Sequence, residues 1–587
     1  MASSSSQVNV HPIQWGVIVV VVSAGIIPLL LGVLRLMQVT QASPINAILH
    51  AFDTPLATEA LQFTLLEAAL STLLTLLIGI PLAWSLGRYE WRGIRGMRAF
   101  LFVPFVTPPI VAAAGFLALY SSGGLLPFMG LDLRTETGVI QWFSELSGWA
   151  HPGHMLALVL AHAWFNLSLV VRFLEPTLAQ MNPHWEEQLL LLPGGQSWWL
   201  RVRHLWWPVL GPSLLVAATY TFFFSFTSFA LVKWLVPGAN TVESLLGELG
   251  GSAGIAFYRT EASLLVLGLA LIQGAFMLII LTGASKFENQ HTKMLALHDE
   301  QANRKLRGNA PRIQRWYVFA IITITSLPFL SVLIASFRKR AMLEDGTQGW
   351  TWTLDGWRQV YQGDASTITL LEALGNSLTF ALLTLLIALP TGYALASAFH
   401  RLERQGKRKL ANSLDIMCMV PLSASAVMIG LGIVVGLLQW FPSMFQFQYL
   451  PVLPHVMLIL PFTVRIFRPA FTRLDPMYEE QIELLNLPLF RAWWHGKGAF
   501  LVGPFAIATS LCLAFSLGEF GATYLMVRVG SWDSLSIMVD QLLSRPKFDP
   551  LVMPTAMAAA TTLMVVTFTA LLVCEFVRKS TGGTDDV

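Results

Sequence analysis

Long apolar stretches recur along the chain with short polar stretches between them. Runs of about 20 apolar residues, enough for a helix to cross a bilayer, fall near 15–36, 61–87, 99–120, 154–175, 209–232 and 261–283. A polar segment follows at 284–315, and the pattern resumes near 316–336, 372–398, 412–439, 450–471, 501–527 and 552–577. The pattern predicts an all-α polytopic membrane protein with about 12 transmembrane helices, arranged as two tandem six-helix repeats. The expected division is a first repeat over 1–283, a basic linker over 284–315 and a second repeat over 316–587.

A duplication supports the division. His162, Arg172, Pro176, Asn182-Pro183, Glu186-Glu187-Gln188 and Leu192 are matched by His455, Arg465, Pro469, Asp475-Pro476, Glu479-Glu480-Gln481 and Leu485, each 293 positions later. The second runs also match, Leu73 to Pro81 reading against Leu382 to Pro390. The third runs share Pro104 and Pro421. The fifth share Gly-Pro at 211–212 and 503–504, then Phe229 and Phe520. An even number of spans per repeat puts both repeats the same way up.

Composition agrees. Of 587 residues 55% are hydrophobic and 12% charged, where a soluble protein would be about a quarter charged. A net charge of +3 points to no nucleic-acid partner. Cys418, Cys512 and Cys574 lie scattered in apolar stretches without metal-ligand spacing, as small buried hydrophobes do. The first six residues lack Lys and Arg, and the run after them is long enough to span, so no cleaved signal is expected.

Basic residues set the orientation. They gather after the second run (Arg88, Arg92, Arg95, Arg98), the fourth (Arg201, Arg203), the sixth, the eighth (Arg401, Arg404, Lys407 to Lys409), the tenth and the twelfth. These alternate loops, and both termini, are expected in the cytoplasm of a bacterial cell whose inner membrane the chain crosses many times. Arg338-Lys339-Arg340, on the opposite side, breaks the rule.

Both Glu-Glu-Gln segments then fall on the cytoplasmic side. Asn182-Pro183 and Asp475-Pro476 each offer a capping side chain followed by a proline that needs no amide partner. Two acids follow, where a helix N-terminus favours negative charge. A short capped helix in each repeat makes a symmetric docking surface for a two-fold partner. Its residues are Glu186, Glu187, Gln188, Gly194 and Gly195 in one copy and Glu479, Glu480 and Gln481 in the other. Asn182 and Asp475, with Arg172 and Arg465 at the preceding helix ends, would order the loops. A solvated loop face is the plainer alternative for any one of these acids.

Glu519 lies in an apolar run, and Ser228 occupies the corresponding place in the first repeat. A carboxylate at membrane depth either meets a cationic substrate or pairs within the bundle. His162 and His455 read as hydrogen-bonded packing residues, with no metal-ligand partners. The chain has no phosphate loop and no nucleophile or metal motif. A catalytic role and nucleotide hydrolysis by this chain are therefore not expected.

The duplicated loops resemble the cytoplasmic coupling loop of permease subunits of bacterial binding-protein-dependent ABC importers. That loop reads roughly Glu-Ala-Ala, three residues, Gly, then a later Leu-Pro. Glu187-Gln188-Leu189 and Glu480-Gln481-Ile482 stand in its place, and Pro208 matches the later proline. The glycine is displaced to Gly194-Gly195 in the first copy and missing in the second, where Phe500 replaces the late proline. Two repeats in one chain resemble the fused permeases for thiamine and for ferric iron. Ala161 to Leu167 and the Ser516 to Gly521 run are more similar to the thiamine type. The resemblance implies two cytoplasmic ATPase subunits, which hydrolyse ATP, and an external solute-binding protein. It also implies alternating access, with the loop helices as rigid levers. The competing reading is a single-chain secondary transporter of the twelve-helix major-facilitator type. Gly87 to Gly93 faintly echoes that type's basic loop, but the type gives no reason for capped acidic helices after spans four and ten.

Overall fold

The computed structural model describes residues 10–580 apart from 121–123, 134–136, 138, 148–150, 182, 192–195, 237–240, 254–259, 297–310, 343–347, 365, 367, 473–487, 489–490, 492, 495–497, 527–532 and 547. Among the described residues, 11 helices are long and apolar enough to cross a membrane, and one bent pair brings the number to 12. They fall one for one on the twelve apolar runs. Local chemistry sets several starts. Proline opens helices Pro12–Thr40, Pro55–Arg88 and Pro152–Gln180, where a missing N–H costs nothing. Thr369 and Glu372 cap helix Leu370–Arg404 reciprocally, the Thr369 amide donating to Glu372 at 2.8 Å and the Glu372 amide to Thr369 at 3.3 Å.

Five expected spans differ in detail. The third is two helices, Ile94–Val106 and Pro109–Tyr120. Pro108 between them lacks an amide and forces Thr107 into extended backbone (ψ 132°). The ninth bends by 85° between Arg408–Ser423 and Ser425–Trp440, at Ser425 with φ of 64°. The fifth stops early in both repeats, at Phe226 and at Gly518. Short helices Ala230–Leu235 and Gly521–Met526 follow, then nine-residue helices Val242–Gly250 and Leu535–Leu543. The sixth helix, Thr260–Ala296, runs on into the stretch expected as linker.

The chain forms two compact units: Met1–Ala47 with Leu246–Ala270 and Leu354–Val587, and Ile48–Leu245 with Leu271–Thr353. They do not coincide with a division between 283 and 316. In the first unit, helix Pro12–Thr40 packs on second-repeat helices. A Cβ on Gly32 would meet Gly432 Cα at 3.2 Å, and one on Gly436 would meet the Pro28 carbonyl at 2.7 Å. Gly432 and Gly436 thus form a small-xxx-small groove that lets backbones touch. In the second unit, helix Arg312–Ala335 lies on first-repeat helices. Trp164 Nε1 donates to the Thr325 carbonyl at 2.9 Å and Tyr317 to the Ile78 carbonyl at 2.7 Å. Each repeat's first helix is housed with the body of the other repeat.

Strands Arg338–Met342 and Gln348–Trp352 form an antiparallel hairpin. Here the exception to the charge rule finds a structural use. Arg338 and Arg340 stack on the Trp350 ring at 4.7 and 5.4 Å, a cation–π pairing that holds the two strands.

Contacts align the repeats more closely than residue identity does. Val242 N–H donates to Thr64 at 3.1 Å, and Leu535 N–H, 293 positions on, donates to Ser377 at 2.8 Å. Val170 packs on Gly79 and Thr463, again 293 on, packs on Gly392. Both pairs relate the second spans by 313 positions (377 − 64 and 392 − 79). Matching Leu73–Pro81 with Leu382–Pro390 implies 309, one helical turn short.

Candidate functional site

The first acidic loop forms the helix expected there, Pro183–Leu190, starting at its proline. Its two glutamates face different ways. Glu187 has a 67% exposed side chain and pairs locally, His184 Nδ1 lying 2.9 Å from its Oε2. Gln188 is exposed beside it. Glu186, at 25%, points inward. Arg88, from the last turn of Pro55–Arg88, donates Nη2 to Glu186 Oε2 at 2.8 Å and Nη1 to the Met181 carbonyl at 2.9 Å. Trp206 Nε1 donates to the other Glu186 oxygen at 3.2 Å. Trp84 lies under the guanidinium at 5.7 Å and meets Trp206 edge-on at 5.3 Å. The short helix is therefore tied to the second span through Arg88 and to the start of the fifth through Trp206. A salt bridge whose carboxylate takes one further donor and whose guanidinium holds a carbonyl is the strong kind of hydrogen bond.

A neighbouring ion pair braces the same end. Arg98 Nε lies 2.6 Å from Glu175, joining helix Ile94–Val106 to Pro152–Gln180. In the other unit Arg468 lies 2.9 Å from Asp415 and also contacts Glu403 and Asn412.

Arg172 and Arg465 take no part in this bracing of the first loop. Arg172 stacks over Phe102 at 5.6 Å, and Arg465 donates to Met419 Sδ at 3.0 Å. Asn182, Gly194, Gly195, Asp475, Glu479, Glu480 and Gln481 lie outside the described residues. Arg88, Trp206 and Arg98 were not singled out as site residues. In the sequence Arg88 and Arg98 figure only as orienting charges, and the readable signal is an arginine ending an apolar run with an acidic loop expected on the same side of the membrane.

Two histidines mark the interior. His162 Nδ1 contacts Glu67, both side chains buried, and Ser71 donates to the same carboxylate at 2.6 Å. His455 is also buried. Its Nδ1 lies 2.8 Å from Ser516 Oγ, and its Nε2 3.1 Å from Thr523 and 3.2 Å from Glu519. Glu519 accepts the amides of Ala522 and Thr523 at 2.7 and 3.1 Å and the Thr523 hydroxyl as well. Its oxygens are thereby committed to the first turn of Gly521–Met526. Ser228 occupies the equivalent break and is half-buried, its amide donating to the Ser225 carbonyl at 3.3 Å. Among the described residues, no three His, Cys, Asp or Glu side chains converge to hold a metal.

No family model matches the chain. It is 24% identical over 470 residues to the thiamine transport system permease protein ThiP of Haemophilus influenzae, covering 78% of each chain. It is 25% identical over 491 residues to ThiP of Brucella abortus, covering 80% of this chain and 79% of the other. A probable sulfate transport system permease protein cysT of Marchantia polymorpha is 28% identical over 224 residues, covering 37% of this chain and 71% of the other. Through both repeats, then, a chain built of membrane-length helices is similar to permeases named for thiamine transport.

Proposed function

We propose that the chain is the membrane-spanning subunit of a bacterial thiamine importer, set in the cytoplasmic membrane with both termini inside. The observation that carries this reading is the similarity across about four-fifths of the chain to permeases named for thiamine. The sulfate permease matches over 37%. Charge supports the choice. Glu67, Glu243, Glu519, Asp533 and Asp540 are buried, against His162 and His455, with Arg88 at the loop end. Carboxylates at membrane depth favour a cation such as the thiazolium of thiamine and oppose an oxyanion. Ferric iron comes second, since the described residues bring together no metal-ligand set.

In the mechanism, two ATPase subunits bind the loop helices from the cytoplasm, and an external binding protein delivers the solute. Glu187 and Gln188 present the grip on the first loop. Arg88, Glu186 and Trp206 transmit its displacement to two spans. ATP binding closes the ATPase pair, the loops move, and the helices reopen on the other side of the membrane. The chain itself supplies no nucleotide site. The test is uptake of labelled thiamine by bacteria lacking their own importer, supplied with the chain, its ATPase and its binding protein. Thiamine accumulation, with the ATPase co-purifying on the chain, supports the reading; sulfate accumulation without thiamine would overturn its substrate.

A further inference from the structure

The interiors of the two repeats differ in one respect. In the second, both nitrogens of His455 and both oxygens of Glu519 have partners. In the first, Glu67 Oε2, His162 Nε2, Asn166 Oδ1 and Thr221 Oγ1 are buried with no hydrogen-bond partner among the described residues. All four residues are almost wholly buried. Such atoms cost free energy unless something fills their valences.

The orphans lie on three helices that pack together. Glu67 and Ser71 are one turn apart on Pro55–Arg88, His162 and Asn166 on Pro152–Gln180, and Thr221 and Ser225 on Trp207–Phe226. His162 contacts Glu67, and Asn166 Nδ2 donates to Ser225 at 3.2 Å, so Pro152–Gln180 joins the other two. Their chemistry is one-sided. The Glu67 and Asn166 oxygens accept only. His162 Nδ1 is engaged by the carboxylate, and its Nε2 has no partner among the described residues. Thr221 can act either way. Two buried acceptor oxygens, one of them on a carboxylate, call for a guest that brings N–H donors and positive charge. A sulfate ion brings neither.

We propose that Glu67, His162, Asn166 and Thr221 form a station for the amine-bearing ring of a transported cationic solute. The inference rests on the thiamine reading and deepens it: the exocyclic amine of the aminopyrimidine supplies the donors. Entry requires Pro152–Gln180 to part from its neighbours, as a transport cycle does. The His455–Glu519 pair of the second repeat, whose nitrogens and oxygens all have partners, supplies no matching station.

The test compares labelled thiamine with oxythiamine, in which that amine is replaced by oxygen. Both are measured in proteoliposomes holding the complete importer with its binding protein. The binding protein is common to all samples, so a change in the ratio of the two uptake rates reports the membrane step. Asn166→Leu and Thr221→Val should each raise the half-saturating thiamine concentration and shrink the thiamine preference by about fivefold, the value of one lost hydrogen bond between neutral groups. Glu67→Gln should weaken uptake of both cationic solutes. Thiamine uptake in which the preference is unchanged in Asn166→Leu and Thr221→Val would overturn the station and leave the thiamine reading standing, the orphans then being satisfied by resident water. An unmutated importer that takes up no thiamine would overturn both.

Discussion

Arg98 meets Glu175 in one repeat, and at the same two positions of the other repeat Asp415 meets Arg468 with the charges exchanged. Arg98 and Asp415 are 317 positions apart, as Pro104 and Pro421 are, and Glu175 and Arg468 are 293 apart. The bridge between the third and fourth spans has been kept and its polarity reversed. Reversal of one partner, Glu175→Arg, should therefore cut folded yield and transport several-fold by setting two cations face to face. Reversal of both, Arg98→Glu with Glu175→Arg, should restore most of the loss. Folded yield and thermal stability in detergent check this. A double reversal no better than the single would show that the pair does not act as a bridge.

Arg88 and Glu186 make a second prediction, about coupling. Arg88→Ala or Glu186→Gln frees the loop helix from the second span while leaving exposed Glu187 for docking. Uptake should fall about tenfold, the order of a lost charge-assisted hydrogen bond, while the ATPase still assembles on the chain. The ratio of solute moved to ATP hydrolysed is the quantity to measure. The register of 313 places Arg401 at the position equivalent to Arg88. Arg401→Ala should lower the same ratio; an unchanged ratio would contradict the equivalence.

Docking should depend on the second acid of each Glu-Glu-Gln segment. Glu187→Lys with Glu480→Lys should leave membrane insertion intact and abolish both uptake and retention of the ATPase subunit on the purified chain. Glu186→Gln should retain the subunit. If the double lysine variant transports normally, the acids do not dock.

Glu519 separates two roles. It caps a helix and pairs with His455, so Glu519→Gln should lower the thermal midpoint, since it removes a buried charge that holds two amides and an imidazole. The half-saturating thiamine concentration should hardly move in the variant that folds. A large rise in that concentration without a loss of stability would return Glu519 to the substrate path.

The twelve spans were legible because apolar length survives every local disturbance. The breaks were less so: Pro108 is a visible interrupter, but the turn at Ser425 comes from a left-handed residue whose type does not announce it. The repeat was legible where identity persists, at His162 and His455, and misleading where it does not. Leu, Thr and Ile recur so often in a span that Leu73–Pro81 matches Leu382–Pro390 one turn out of register. The contacts that set the true register, Thr64 with Val242 and Ser377 with Leu535, are between unlike residues. The exchanged bridge is invisible to identity for the same reason. Glu67 was missed because its counterpart under the structural register is Phe380, whose ring meets His455 edge-on at 6.4 Å. A search for matching acids finds nothing there.

ATP-driven thiamine uptake in proteoliposomes tests the central claim most directly. The account predicts uptake only when the chain, its ATPase subunits, the external binding protein and ATP are all present. Uptake by the chain alone, driven by an ion gradient and indifferent to ATP, would contradict it.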